Sequence, residues 1–319
     1  MAEIKPRIGS ERTRLETVIP LNVPYLVFLD PSDICNSECK HCPTGNRSMV
    51  RKYRYPQFMS MPIFKKAVDQ LKQLGKIKTL RLYKDGEPLL NPHFYEMAKY
   101  AANSGCFNHI DTTTNGKMFT TEHVRNIAQC GLTKIFISVP QLYDQKYVDM
   151  VGELFVFSGK MGIHVKIIDD GLPCGRIDKF YEDFDKISTS MSVEHLAPCW
   201  PNFSVLRESA DYGIYGNPLT SVIVCPYVFY SIAINSDGSI SLCFLDWQRR
   251  LILGDIKSQN IANIWNGKHH LHFQKMMLTH RRRFHPFCGN CGQLTHGNPD
   301  DIDLFADELL SKIENMEGK

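Results

Sequence analysis

"KTLRLYKDGEPLLNPHFYEMAKYAANSGCFNHIDTTTNG" (residues 78–116) decides the fold. Its first six residues, 78–83, read as a strand. A Gly- and Pro-containing turn follows at 84–88. Helical spacing then runs over 93–105 and stops at Gly105, and a second strand (109–114) ends on Asn115-Gly116. Two strands separated by a helix cannot be a hairpin; they are parallel neighbours joined by a right-handed crossover. The same unit recurs on both sides. Strands are predicted at 25–30, 134–139, 163–168 and 192–196, and helices at 61–75, 121–131, 145–159 and 177–187. Six alternations predict an α/β fold, a partial (β/α)6 TIM-like barrel. Sites on such folds lie at the C-terminal ends of the strands. The distinctive residues fall there: "CNSECKHC" (35–42) after the first strand, "KDGEP" (84–88) after the second, Asn115-Gly116 after the third, Ser138 at the end of the fourth and "GLPCGR" (171–176) after the fifth.

The 319 residues are 43% hydrophobic and carry a net charge of +3, enough for a large core and too little charge to indicate nucleic acid or an anionic membrane. Arg281–Arg283 reads as a solvated helix end or a local anion contact. The N-terminus has no apolar signal segment, and no run approaches the about 20 apolar residues that span a bilayer. A cytoplasmic location is expected. Eleven cysteines in such a chain point to metal or catalytic use rather than disulfides.

From about residue 198 the chain changes character. A Pro-, Gly- and Asn-rich connector leads to "FYSIAINSDGSISLCF" (229–244), a hairpin by its Ser-Asp-Gly turn. An amphipathic helix is predicted over 261–278, then "CGNC" (288–291), then an acidic tail with a last, fraying helix. The expected division is an N-terminal extension (1–21), a barrel (22–200), a small cysteine-rich domain (201–295) and a tail helix (296–319).

Two cysteine groups differ in kind. Cys35, Cys39 and Cys42 form a C-x3-C-x2-C, three thiolates where a closed tetrahedral site needs four, so one metal position stays open. Cys225, Cys243, Cys288 and Cys291 supply four. Cys225 and Cys243 can converge at the open end of the hairpin. Four thiolates suit either structural zinc or a fully ligated iron–sulfur cluster.

The three-cysteine motif after a first strand resembles the signature of the radical S-adenosylmethionine (SAM) enzymes. The resemblance implies a four-iron cluster on Cys35, Cys39 and Cys42 whose open iron is chelated by SAM. "DGEPLLNP" (85–92) looks like the family's GGEP element, with Asp85 where glycine is usual. It implies that Glu87 and the backbone hold the SAM amino group while Gly86 and Pro88 shape the turn. By the same resemblance Asn115 and Ser138 contact the ribose or carboxylate, and His41 lies near the adenine. "CPYVFYSIAINSDGSISLC", with Gly238 ahead of Cys243, resembles the SPASM/twitch domain and implies an auxiliary four-iron cluster on Cys225, Cys243, Cys288 and Cys291. The compact layout is similar to that of aminocyclitol dehydrogenases.

The implied activity is reductive cleavage of SAM and hydrogen abstraction from a small polar substrate, a sugar, an aminocyclitol or a related alcohol. The auxiliary cluster takes the second electron, and a low-potential donor, flavodoxin or ferredoxin, supplies the first. Peptide modification and epimerisation are alternatives. Only 34 residues precede Cys35, too few for the peptide-recognition domain that peptide modifiers often add. Cys174 or Cys199 could donate hydrogen in an epimerase. Glu194, Arg176 and Arg207 are candidate substrate contacts, with Cys174, Glu194 and Arg207 the catalytic candidates. A non-catalytic zinc module would explain the four C-terminal cysteines but not the strand-end motifs.

Overall fold

The computed structural model describes residues 1–7, 12–204 and 211–317. Among them, ten strands form one sheet: β1 (Glu3–Ile4), β2 (Leu26–Leu29), β3 (Ile77–Arg81), β4 (Phe107–Thr114), β5 (Lys134–Ser138), β6 (Gly162–Ile168), β7 (Ser190–Glu194), β8 (Ser231–Ile234), β9 (Ser239–Ser241) and β10 (Ile252–Asp255). Their order is β1-β7-β6-β5-β4-β3-β2-β8-β9-β10, so β2 to β7 run as six adjacent parallel strands in sequence order. These are the six predicted strands, with ends shifted by at most two residues. Helices Met61–Leu74, Phe94–Ser104, Thr121–Gln129, Gln145–Phe157 and Arg176–Phe184 make the crossovers.

Side-chain alternation explains the two faces of the sheet. Val27 and Leu29, Leu80, Ile110, Ile135 and Ile137, and Ile163, Val165 and Ile167 are buried against the helices. The helices answer with stripes at helical spacing, such as Phe64, Ala67, Val68 and Leu71, or Phe94, Met97, Ala98 and Ala101. Each of the larger side chains among them, the Val, Leu, Ile, Phe and Met, contributes about 1.5–3 kcal/mol when fully buried. The intervening strand residues face inward and are largely polar: Thr79 and Arg81, Asp111 and Thr113, Ser138, Lys166, Glu194. The barrel interior is therefore a polar cavity rather than a packed core.

Past residue 200 the sheet continues. β8 pairs parallel with β2, and β9 and β10 add antiparallel strands, with the predicted hairpin at β8–β9. Three expectations change. The helix over 261–278 is two helices, Ile261–Trp265 and Lys268–Leu278, broken at Gly267, where extended backbone caps the second helix and a Cβ would lie 2.6 Å from the Asn263 carbonyl oxygen. The last helix, Ala306–Glu317, does not fray over its described side chains; Ala306, Leu309 and Ile313 are buried, and it packs beside Lys268–Leu278. The N-terminus joins the fold: β1 pairs with β7, and the Ala2 amide donates to the Asp185 carboxylate at 2.8 Å.

Candidate functional site

Three strand ends are bound into one platform. After β2 the chain turns through Asp33, whose carboxylate accepts from the Gln57 amide at 2.5 Å, into the three-cysteine loop. Gly45 closes that loop; a Cβ there would sit 2.2 Å from the Cys39 carbonyl oxygen, so no other residue fits. The turn after β3 presses onto the same loop. The Glu87 amide donates to the Ile34 carbonyl at 2.9 Å, and a Cβ on Gly86 would meet the Ser32 and Ile34 carbonyl oxygens at 2.2 and 2.5 Å. After β4, the Asn115 side-chain amide donates to Asn36 Oδ1 (2.8 Å) and Ser37 Oγ (3.2 Å).

Glu87 is the pin of this platform. Its carboxylate is 2% exposed and accepts from Leu89 N (3.2 Å), Thr114 Oγ1 (2.7 Å) and Asn115 N (2.8 Å). Burial raises its pKa, against the pull of these donors. The carboxylate expected at the amino group of SAM lines the cavity and also holds the Asn115 turn through these three donors, which leave one of its acceptor positions open. Pro88 is buried and opens the short turn Pro88–Leu90, outside the cavity wall.

Burial raises the pKa of Cys35 and Cys39 and pushes Cys42 up to about 12, with neighbouring thiols adding to the rise at Cys35 and Cys42. The second group behaves alike. Cys225 is pushed up to about 12, and Cys243, Cys288 and Cys291 are raised, by burial first and, for Cys225, Cys243 and Cys288, then by one another. Thiols that raise one another's pKa lie close together, and only a cationic centre among them would favour thiolates. Among the described residues, no three His, Cys, Asp or Glu side chains stand as a ready site for a single metal ion. Three thiols in one loop and four in the second region supply the donors for one open and one fully ligated cluster. Arg282, in the run read as a solvated end, straps the second group: it donates to the Cys288 carbonyl at 2.6 Å and the Ile223 carbonyl at 3.2 Å.

The three-cysteine loop lines a cavity of about 690 Å³, which residues adjoining the second group also reach; its volume is within the range of small-molecule sites. Cys35, Cys39, Cys42, His41, Gly86, Glu87, Asn115 and Ser138 line one side of it. Tyr227, Phe244, Leu245 and Gln293, next to the second group of cysteines, line the other. Glu194 also lines it, ion-paired with Lys166. The other substrate-contact expectations fare differently. Cys174 is exposed and lies outside the cavity wall, which its place after β6 did not reveal. Arg176 stacks 3.9 Å over Tyr143 and donates to the Gln141 carbonyl, away from the cavity. Arg207 falls outside the described residues. Cys199 is buried on the cavity wall.

Sequence reasoning missed His195, which lines the cavity with Nδ1 2.5 Å from Asp169 Oδ2. The two residues are 26 apart and meet only because β6 and β7 are neighbours. It also missed Lys166 and Arg7, cavity-lining cations on a strand read as apolar and on the terminal extension.

Residues 29–154 match the radical SAM superfamily, and residues 225–292 match SPASM, an iron–sulfur cluster-binding domain. The chain belongs to the radical SAM superfamily and carries a SPASM domain. Such a protein uses a four-iron cluster with SAM in the first domain and an auxiliary iron–sulfur cluster in the second. Among curated relatives, the chain is 20% identical to the S-adenosyl-L-methionine-dependent 2-deoxy-scyllo-inosamine dehydrogenase of Niallia circulans, over 87% of this chain and 96% of the relative. The AdoMet-dependent heme synthase of Methanosarcina barkeri is 26% identical over 37% of this chain, so the match spans about a third (32%) of that relative's length. The crystal structure of BtrN in complex with AdoMet and 2-DOIA has the same fold, with a TM-score of 0.60 and 17% identity over 88% of this chain and 98% of that one.

Proposed function

We propose that this chain is a radical SAM oxidoreductase that dehydrogenates an alcohol carbon of a small polar molecule, of sugar or cyclitol type. The observation that carries the reading is the cavity: the three-cysteine loop lines it, and so do Tyr227, Phe244, Leu245 and Gln293, each within two residues of a cysteine of the second group. Cys35, Cys39 and Cys42 would hold the first cluster there, and Cys225, Cys243, Cys288 and Cys291 would hold the auxiliary one behind those neighbours. Bound there, the cofactors supply reductive SAM cleavage, hydrogen abstraction and a second-electron acceptor. The protein's own residues position and deprotonate. The backbone at Gly86 and the Asn115 turn shape the SAM side of the cavity, with Ser138 and His41 beside them. Oxidation of an alcohol also releases a hydroxyl proton. His195 takes it at Nε2, since Nδ1 faces Asp169, which fixes the ring. The dehydrogenase relative that spans nearly this whole chain supports the reaction class. A low-potential flavodoxin or ferredoxin is the expected donor.

Cys199 favours one second reading. A buried thiol on the cavity wall suits a hydrogen donor in epimerisation, whereas exposed Cys174 does not.

The test is iron and sulfide content of anaerobically reconstituted protein beside a Cys35/Cys39/Cys42→Ala variant, with electron paramagnetic resonance with and without SAM. About eight irons falling to about four, with a SAM-perturbed signal only in wild type, supports one open and one closed cluster. Zinc in the second site would remove the electron acceptor and leave the redox-neutral epimerase reading.

A further inference from the structure

The inner wall of the cavity carries more positive charge than its own carboxylates balance. The strand register sets Arg81 beside Asp111, and Asp111 beside Lys134. Arg81 closes β3, five residues before Gly86 along the chain. Arg7, from the N-terminal segment, reaches the same place. Its guanidinium lies 5.1 Å from the Tyr83 ring centroid and 4.8 Å from that of Phe136. No carboxylate among the described residues forms an ion pair with Arg7. Arg81 has only a loose one: its Nε is 3.6 Å from Asp111 Oδ2, too far to hydrogen-bond, and that nitrogen is buried without an acceptor. Its Nη1 donates to the Tyr83 hydroxyl at 3.2 Å. Lys166 is already matched by Glu194. Four cations, Arg7, Arg81, Lys134 and Lys166, thus face two carboxylates, Asp111 and Glu194. Burial, and then the adjacent Arg81, lower the pKa of Arg7, and burial raises that of Asp111. Both arginines line the cavity.

A protein that places side by side one guanidinium with no ion pair and another with a single loose one leaves a place for an anion. Arginine's planar fork matches the paired oxygens of phosphate or carboxylate. We infer that Arg7 and Arg81 form the receptor for an oxyanion on the substrate, so that the molecule processed carries a phosphate or carboxylate group. This deepens the reading above and rests on it for the statement that the cavity takes the substrate. It also departs from the aminocyclitol chemistry of the dehydrogenase relative, since a basic amine would meet an excess of like charge here.

The test is calorimetric titration of the anaerobically reconstituted holoenzyme, saturated with SAM so that SAM's own carboxylate is already placed. The probes are inorganic phosphate, glucose 1-phosphate, glucuronate, glucose and glucosamine. Saturable binding of at least one anionic probe is expected, tighter than that of glucose or glucosamine. It should weaken about tenfold or more in Arg7→Gln and in Arg81→Gln, and less in Arg81→Lys. A preference for glucose 1-phosphate over glucuronate assigns a phosphate, and the reverse a carboxylate. Three results overturn the inference: no anionic probe binds wild type, glucosamine binds as tightly as the anions, or the Arg7→Gln and Arg81→Gln proteins bind them as wild type does. Iron content and SAM binding measured on the same samples separate the two readings. If both are intact, a failed titration sinks only the oxyanion receptor; if wild type holds neither, the functional reading falls with it.

Discussion

Asp30 ends β2 with both carboxylate oxygens buried and without a hydrogen bond. Burial raises its pKa to about 8, and Asp85 and Asp33 add to the rise while Lys84 and Arg249 oppose it. In the unfolded chain an aspartate releases its proton near 3.9. Between these values the folded chain holds a proton that the unfolded chain does not. The contribution to stability is therefore full below the unfolded pKa and is lost as pH rises from about 4 through about 8. Asp30→Asn has the same shape and no ionisation. Its advantage over wild type should widen between pH 6 and pH 8 by at most about 1.4 kcal/mol per pH unit. Melting temperatures of the two proteins across that range measure it. A gap that stays constant would show that Asp30 is ionised throughout.

At the scale of elements, the platform depends on a turn that the sequence spells openly. Gly116 has φ +68°, and a Cβ there would lie 2.5 Å from the Tyr147 hydroxyl, which itself donates to the Asn115 carbonyl at 3.0 Å. Gly116→Ala should cost about 1–3 kcal/mol and weaken SAM binding, because Asn115 ties to the three-cysteine loop through Asn36 and Ser37. Equilibrium binding of SAM to the reconstituted variant reads the second effect; an unchanged affinity would mean the turn does not position the site. Periodicity and turn chemistry made the six strands, their crossover helices, the hairpin and the strand-end motifs legible. What escaped has physical reasons. β1 is two residues long, with no pattern to read. Gly267 breaks a helix within an unbroken amphipathic run because of a close backbone approach. His195–Asp169 and Arg282 with the Cys288 segment are contacts made by tertiary neighbours. Cys174 sits at a strand end yet points away from the cavity.

At the scale of the molecule, two of the joins between the cysteine-bearing regions bear on the site. β8 extends the sheet beside β2, and behind the three-cysteine loop a buried charge network crosses between the regions. Arg249, between β9 and β10, pairs with Asp33 at 3.4 Å and Asp85 at 3.0 Å, and donates to Asn235. Arg54 pairs with the same two aspartates and donates to the Trp247 carbonyl; Lys84 pairs with Asp85 and donates to the Asp246 carbonyl. Burial raises the Asp85 pKa, but Arg54, Lys84 and Arg249 together hold it below the usual carboxylate range. Arg249 takes a left-handed backbone, φ +56°, to reach them. That strain, unfavourable outside glycine, is sustained by the pairing. Asp33 lies two residues before Cys35 and Asp85 next to Gly86, so the network reaches both the loop and the turn. Removing one member leaves buried carboxylates short of charge, which costs about 3–5 kcal/mol. Arg249→Gln should therefore lower the melting temperature by on the order of 10 °C. The SAM-dependent change in the electron paramagnetic resonance signal should weaken too, although Arg249 is remote in sequence from all three cysteines of the open site. If the variant lost only its auxiliary iron and kept the SAM-perturbed signal, the two regions would be coupled by the sheet alone, and the charges between them would be local.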